Sequence, residues 1–291
     1  MTEVKENTAL KALINLLDEP DEDNFSRVRE KLFSFGTDAI QPLNQALENS
    51  FDSILQERIR EILGKIVMDQ LAGAFSAWVN FGSSDLLMGY LLVSSCDNLD
   101  LDKEALISKV EQIRMDVWLE LNDNLTALEN IKVMNHILFE VHHFDGNRSS
   151  QNSSGTFLLD KLMETHKGNP LSLGILYLVI AQRLKLPVYG VDLPQHFILA
   201  YLSEPGIVNP TSEDVLFYIN PFNQGSVFTR REIELFIRQL KIKPEWSYFT
   251  PCSNTSVIEK LLVNLILVNE KSGDAQKNHY LERFQKIIEG E

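Results

Sequence analysis

Apolar residues recur at helical spacing through the first part of the chain, which predicts a run of amphipathic helices there. Residues 6–66 contain four such segments. The apolar stripe of the first consists of Leu10, Leu13, Ile14, Leu16 and Leu17, and that of the second consists of Val28, Leu32 and Phe35. An acidic turn at residues 18–23 separates these two stripes, and Gly36 ends the second helix. Further helices are predicted at residues 71–90, 103–121 and 127–142.

The pattern changes at residue 168. Residues 171–184 are apolar on nearly every side of a helix, which is typical of a helix buried at the centre of a domain. Asn169 and Pro170 begin it as an N-cap and a first-turn proline. Strands at 188–191, 197–202 and 215–219 follow, with short connections that favour an antiparallel sheet. Helices at 229–240, 253–270 and 274–288 complete an α+β, predominantly helical fold.

Composition narrows the class of protein and its compartment. The 291 residues are 44% hydrophobic and 23% charged, as in a soluble globular protein, and a net charge of −14 disfavours nucleic-acid binding. Cys96 and Cys252, the only cysteines, lie far apart and in no metal-binding spacing, which favours a reducing compartment. The N-terminus does not resemble a signal peptide, and the longest apolar runs fall short of the ~20 residues that cross a bilayer. We therefore expect a cytoplasmic protein that does not bind membranes.

Several phrases of the sequence resemble one family. Residues 168–191 (GNPLSLGILYLVIAQRLKLPVYGV), 195–201 (QHFILAY) and 218–225 (YINPFNQG) have the order helix, strand, strand. With residues 134–147 and 261–274, they resemble the bacterial SirB-type transglutaminase-like/TPR proteins, whose core belongs to the transglutaminase and papain-like superfamily. The resemblance implies a papain-like core, in which a buried central helix packs on a small antiparallel sheet, followed by a TPR-like helix pair.

The resemblance also divides the chain. Residues 1–98 form the predicted N-terminal helical region, 99–250 the transglutaminase-like core, and 251–291 the TPR-like helix pair. Within the first region, residues 13–47 resemble about one and a half HEAT repeats. A plain pair of helical hairpins explains the same stretch, since three or more repeats are usually needed for a stable solenoid.

The family resemblance places the nucleophilic Cys of active relatives at the start of the central helix, and that position is Pro170 here. Proline has no nucleophile, so covalent acyl transfer at this position is impossible. The resemblance assigns His196 and Asn220 to the other two triad positions, although relatives usually carry Asp at the second. Gln195 departs from the usual PGHF phrase. The expected vestigial binding cleft contains Asn169, Pro170, Gln195, His196 and Asn220.

Two other groups of residues could carry chemistry. Ser172 is a substitute nucleophile in principle, but it lies about 200° around the helix from Pro170 and is more simply a first-turn residue that bonds the backbone. His142, His143 and Asp145 lack metal-ligand spacing, so the two histidines are interpreted as a helix C-terminal pair. No metal or cofactor is predicted.

Three functions fit these observations. The leading prediction is a catalytically inactive transglutaminase-like protein that binds a peptide or protein partner or serves as a scaffold. The alternative is an unconventional hydrolase or acyl transferase, in which His196 and Asn220 activate water or Ser172. A purely structural helical adaptor is the third, and it does not need His196.

Overall fold

The computed structural model describes residues 9–19, 21–148, 154–194, 196–204, 209–273 and 275–290. The chain divides into two compact units between Phe75 and Ser76. The predicted first boundary lies after residue 98. The difference arises because the helix at Leu86–Asp97 is buried along most of its length and packs on the central helix Pro170–Arg183, inside the second unit.

The first unit is helical throughout its described part. It contains a helical segment at residues 9–14, a short 3-10 helix at Gly36–Ala39, and the helices α1 (Glu22–Phe33), α2 (Ile40–Asn49) and the start of α3 (Ser53–Ala77). Arg58 ties these elements together, since its guanidinium donates to the carbonyls of Leu17 at 2.9 Å and Glu19 at 2.7 Å and lies over the Phe25 ring. The HEAT-like character of this region stays a prediction.

Helix α3 continues through a π-helical turn at Trp78–Gly82. By length and composition the continuous stretch Ser53–Gly82 could cross a membrane, and 44% of its most apolar window is buried inside the structure. No long uninterrupted apolar run marks this helix in the sequence, because Lys65 and Asp69, which form an i,i+4 ion pair, interrupt it.

The second unit is also mostly helical, with two small sheets. Its helices are α4 (Leu86–Asp97), α5 (Lys103–Glu120), α6 (Ala127–Asn135, extended by a π-helical turn at His136–Val141), α7 (Leu159–Thr165), α8 (Pro170–Arg183), α9 (Arg230–Gln239), α10 (Asn254–Ser272) and α11 (Ala275–Glu289). Its strands are β1 (Asp145–Gly146), β2 (Lys167–Gly168), β3 (Val188–Leu193), β4 (His196–Leu202), β5 (Val215–Asn220) and β6 (Ser226–Phe228). Short 3-10 helices lie at Ser154–Phe157, Pro221–Asn223 and Trp246–Phe249.

The larger sheet is an antiparallel meander in the order β3–β4–β5–β6. Leu193 pairs with His196 at the β3–β4 turn, and Leu199 pairs with Ile219 in the next strand. Strands β1 and β2 form a separate parallel pair. The prediction of a predominantly helical α+β fold, with a small antiparallel sheet on a buried central helix, is confirmed. The short strands β1, β2 and β6 were not predicted.

The larger sheet lies between α8 and α9. Every residue of α8 from Leu171 to Ala181 is buried, and Gly174 faces β4, where a Cβ would come within 2.5 Å of the Phe197 ring. Because side chains alternate across a strand, the residues on either side of Phe197 point to the opposite face. There Ile198 shares a buried cluster with Ile233 of α9.

Helices α10 and α11 form the closing helix pair of the chain. Gly273 joins them in the left-handed conformation at φ +79°, where open space surrounds it, and such a glycine commonly ends a helix. The predicted helix pair is therefore present, and its TPR-like character stays a prediction.

Candidate functional site

The N-terminus of α8 is capped by the side chains of Asn169 and Ser172. The Asn169 side-chain oxygen accepts the N–H groups of Leu171 at 2.9 Å and Ser172 at 2.8 Å. In return the Ser172 hydroxyl accepts the Asn169 N–H at 3.0 Å, which completes a reciprocal capping box. Both side chains are buried, so the cap is part of the core.

This cap leaves no backbone donor for a substrate at the first turn. Leu173 donates its N–H to the Asn169 carbonyl at 3.1 Å, and Pro170 has no N–H. An oxyanion hole requires N–H groups aimed at the oxygen that becomes charged in the reaction. From Asn169 to Leu173, every N–H already has an acceptor. Ser172, the candidate substitute nucleophile, is fully buried and also donates to the Asn169 carbonyl at 3.3 Å.

His196 lies on the other face of the sheet from α8. It pairs with Leu193 and shares the α9 face with Ile198, and its ring meets the Phe236 ring edge-on at 4.9 Å between centroids. Burial lowers the pKa of His196 below its usual value, which keeps the imidazole neutral at pH 7. Pro170 begins the helix that packs on the opposite face, so the His196 side chain points away from α8.

Asn220 stabilises the turn that follows β5. Its side-chain oxygen accepts the N–H groups of Phe222 at 3.1 Å and Asn223 at 3.3 Å, and so caps the 3-10 helix Pro221–Asn223. Within the described part of the chain, neither Asn220 nor Ser172 hydrogen-bonds the His196 ring. Gln195, the remaining predicted cleft residue, lies outside the described residues.

The segments that carry the family resemblance do meet, through contacts that the sequence analysis did not identify. Asn147 donates its N–H to the Gly168 carbonyl at 2.7 Å. Gly146 lies against the Phe222 ring, where a Cβ would come within 2.7 Å of a ring carbon. These contacts join residues 145–147, the β2–α8 junction and the turn after β5 into one region beside α8.

A part-buried hydrogen-bond chain holds the same region from the side of α6. The Tyr177 hydroxyl of α8 donates to the Asn135 side-chain oxygen at 3.0 Å, and the Asn135 amide donates to the Gly225 carbonyl at 2.9 Å. Gly225 has φ +69°, and a Cβ there would lie 1.9 Å from the Asn135 oxygen. The glycine that ends the INPFNQG phrase was the one available sequence signal for this contact.

The histidines near β1 have structural partners. His142 follows the π-helical turn as its C-cap and pairs with Asp116 of α5 at 2.8 Å. The His166 ring contacts the His142 carbonyl at 2.6 Å and stacks on Phe144. Asp145 pairs with Lys167, and the hydrogen bond from Lys167 lowers the pKa of its carboxyl. Within the described ranges, no group of three His, Cys, Asp or Glu could hold a metal ion.

Neither cysteine offers a replacement nucleophile. Cys96 and Cys252 are both free thiols, and burial raises the pKa of each to about 12. The thiolate is the nucleophilic form of cysteine, so both thiols stay protonated and unreactive at neutral pH.

Comparison with known proteins places this core in a family. The family model described as the transglutaminase-like superfamily matches residues 104–263, which include α8, the sheet from β3 to β6 and the turn after β5. The chain belongs to the transglutaminase-like superfamily. Protein SirB1 of Salmonella typhimurium is 27% identical over 189 residues, which cover 64% of this chain and 66% of SirB1. The predicted SirB-type resemblance is thereby confirmed.

Other relatives also match the chain, and one of them is much longer. F-box only protein 21 of Pongo abelii is 25% identical over 177 residues, which cover 61% of this chain and 27% of that protein. A UPF0162 protein of Xylella fastidiosa is 27% identical over 165 residues, with 54% of each chain covered. The alignments thus span about a quarter of F-box only protein 21 and half to two thirds of the bacterial relatives. No solved structure matches the chain.

Proposed function

We infer that this protein is a non-catalytic member of the transglutaminase-like superfamily, and that it acts in the cytoplasm by binding a protein or peptide partner. The observation that carries this proposal is that the N–H groups in the first turn of α8 are already hydrogen-bonded. Pro170 stands where the resemblance places the nucleophile, and the N–H groups that follow it are bound to Asn169.

The position of His196 supports the same inference. A general base must reach the proton it abstracts, directly or through one water. His196 instead packs against Phe236 on the α9 face of the sheet. Both cysteines of the chain are free thiols whose raised pKa keeps them protonated at neutral pH, which is also consistent with a reducing cytoplasm.

A binding role is supported by the concave surface beside β3, the first strand of the larger sheet. Two crevices there have volumes of about 770 Å³ and 610 Å³ and share Pro251 and Cys252 in their linings. Volumes of this size are typical of ligand sites. The net charge of −14 makes nucleic acid an unfavourable partner.

The test is a turnover assay of the purified protein on chromogenic esters, peptide amides and glutamine-containing peptides. We expect the wild type and His196→Ala to show the same rate as buffer on every substrate. Turnover by the wild type that His196→Ala abolishes would overturn the proposal. It would favour the alternative hydrolase or acyl transferase, in which His196 activates water or Ser172.

A further inference from the structure

The smaller of the two crevices, which we call the Trp246 crevice, is lined by both aromatic and charged side chains. It is lined by Trp246 and Tyr248 of the 3-10 helix, by Pro194 and Pro251, and by Asp192 and Lys260. Neither the Trp246 indole N–H nor the Tyr248 hydroxyl has a hydrogen-bond partner in the described part of the chain. Two aromatic side chains of the lining therefore have donors without a protein partner among the described residues.

Two acceptors in the same lining are already occupied. The Asp192 carboxylate is paired with the Lys260 ammonium, and the Trp246 carbonyl accepts the Thr250 hydroxyl at 3.0 Å. Pro194 and Pro251 contribute apolar ring surface and no N–H. A ligand that matches Trp246 and Tyr248 presents hydrogen-bond acceptors, and one that matches Pro194 and Pro251 presents apolar surface.

Trp246 is held in place although it is exposed. The Arg230 guanidinium lies 5.2 Å from its ring centroid and 4.7 Å from that of Phe249, in the range of cation–π contacts. Arg230 is itself fixed by hydrogen bonds to Glu234 at 3.3 Å and Ser212 at 3.2 Å. The indole is thus oriented before any ligand arrives, and a pre-oriented side chain loses little conformational freedom on binding.

From these groups we propose that the Trp246 crevice binds a proline-rich segment of a partner protein in the polyproline II conformation. Such a segment has carbonyl acceptors along its backbone and lacks N–H donors at each proline, so it complements the lining. Its pyrrolidine rings pack on aromatic and proline surfaces, which is the general mode by which proline-rich peptides are recognised. The crevice volume of about 610 Å³ accommodates a short segment of this kind.

The proposal is tested with fluorescein-labelled oligoproline, followed by fluorescence anisotropy, and a length-matched Gly-Ser peptide as the control ligand. Trp246→Phe removes the indole N–H, and Tyr248→Phe removes the hydroxyl while keeping the ring. The matched control variant is Trp118→Phe, since Trp118 is 56% exposed and Trp246 is 55% exposed.

We expect saturable binding of oligoproline by the wild type and by Trp118→Phe, and no binding of the Gly-Ser peptide. Each crevice variant should weaken binding roughly 2- to 10-fold, the loss of one hydrogen bond. Absence of saturable binding by the wild type would overturn the proposal, as would equal affinities of all three variants. Self-association that Trp246→Phe abolishes, without oligoproline binding, would identify a second copy of the chain as the occupant and also overturn it. None of these results depends on whether the protein turns over a substrate.

Discussion

Gly225 connects the turn after β5 to the part-buried hydrogen bonds of Asn135 in α6 and Tyr177 in α8, so the replacement Gly225→Ala tests how that region is held together. The new methyl group would lie 1.9 Å from the Asn135 side-chain oxygen. Asn135 would have to move, and its bonds to the Gly225 carbonyl and the Tyr177 hydroxyl would break. The Tyr177 hydroxyl would then be left buried without an acceptor.

The expected loss of stability is the sum of two effects. A non-glycine residue in the left-handed conformation costs about 1 to 2 kcal/mol. Each lost hydrogen bond costs about 0.5 to 1.5 kcal/mol, and a buried donor left unpaired raises the upper limit. We therefore expect Gly225→Ala to lower the free energy of unfolding of the second unit by about 2 to 5 kcal/mol.

Gly273→Ala is the matched control, because Gly273 also has positive φ but no atom would lie within 4 Å of its Cβ. Gly273→Ala should lower the free energy of unfolding only by the cost of the left-handed backbone conformation, about 1 to 2 kcal/mol. All three tryptophans, Trp78, Trp118 and Trp246, lie in the second unit, so urea unfolding followed by tryptophan fluorescence reports on that unit. If Gly225→Ala costs no more than Gly273→Ala, the contact with Asn135 does not hold this turn.

Three further changes test other parts of the account. Ser172→Ala should lower the free energy of unfolding by about 1 to 3 kcal/mol, because it leaves the buried Asn169 N–H without an acceptor. The control Ser256→Ala, at the corresponding but exposed position of α10, should lower it by less than half as much. Equal losses of the two variants in urea unfolding would contradict the role of the Ser172 cap. Because the pKa of His196 is lowered in the folded state, this residue should make the protein less stable as the pH falls from about 7 to 5, through the unfolded-state pKa of ~6.5. His196→Phe should remove that part of the pH dependence. An unchanged slope of unfolding free energy against pH would refute the burial of a neutral His196. Tyr177→Phe leaves the Asn135 oxygen without its donor and should cost about 1 to 2 kcal/mol in the same unfolding assay, whereas a neutral effect would show that this bond contributes nothing.

Local sequence signals predicted the central helix well. The Asn169–Pro170 start, the apolar run to Ala181 and the β-branched strands that follow are each determined by neighbouring residues. These signals were sufficient for the fold class, and the phrases around them were sufficient for the family. They also indicated a first-turn role for Ser172 beside the Asn169 cap.

The arrangement of the site could not be predicted in the same way. Whether His196 faces α8 or α9 depends on strand register, since a shift of one residue exchanges the two faces of a strand. The chain from Asn135 to Tyr177 and Gly225 joins residues far apart in sequence, and no periodic pattern marks it. The boundary between the units differed from the predicted one because α4 resembles other apolar helices in sequence, and only its packing assigns it to the second unit.

The separation of His196 from the start of α8 is the central claim, and the thiol pKa of a Pro170→Cys variant tests it most directly. The pKa is measured from the pH dependence of iodoacetamide alkylation in a background in which Cys96 and Cys252 are replaced by Ser, because Cys252 is only partly buried. We expect the same pKa in Pro170→Cys and in the double variant Pro170→Cys/His196→Ala, because the sheet keeps the imidazole away from the new thiol. A thiol pKa that is depressed in Pro170→Cys and returns toward ~8.5 in the double variant would show that the two residues share one site and would contradict the account.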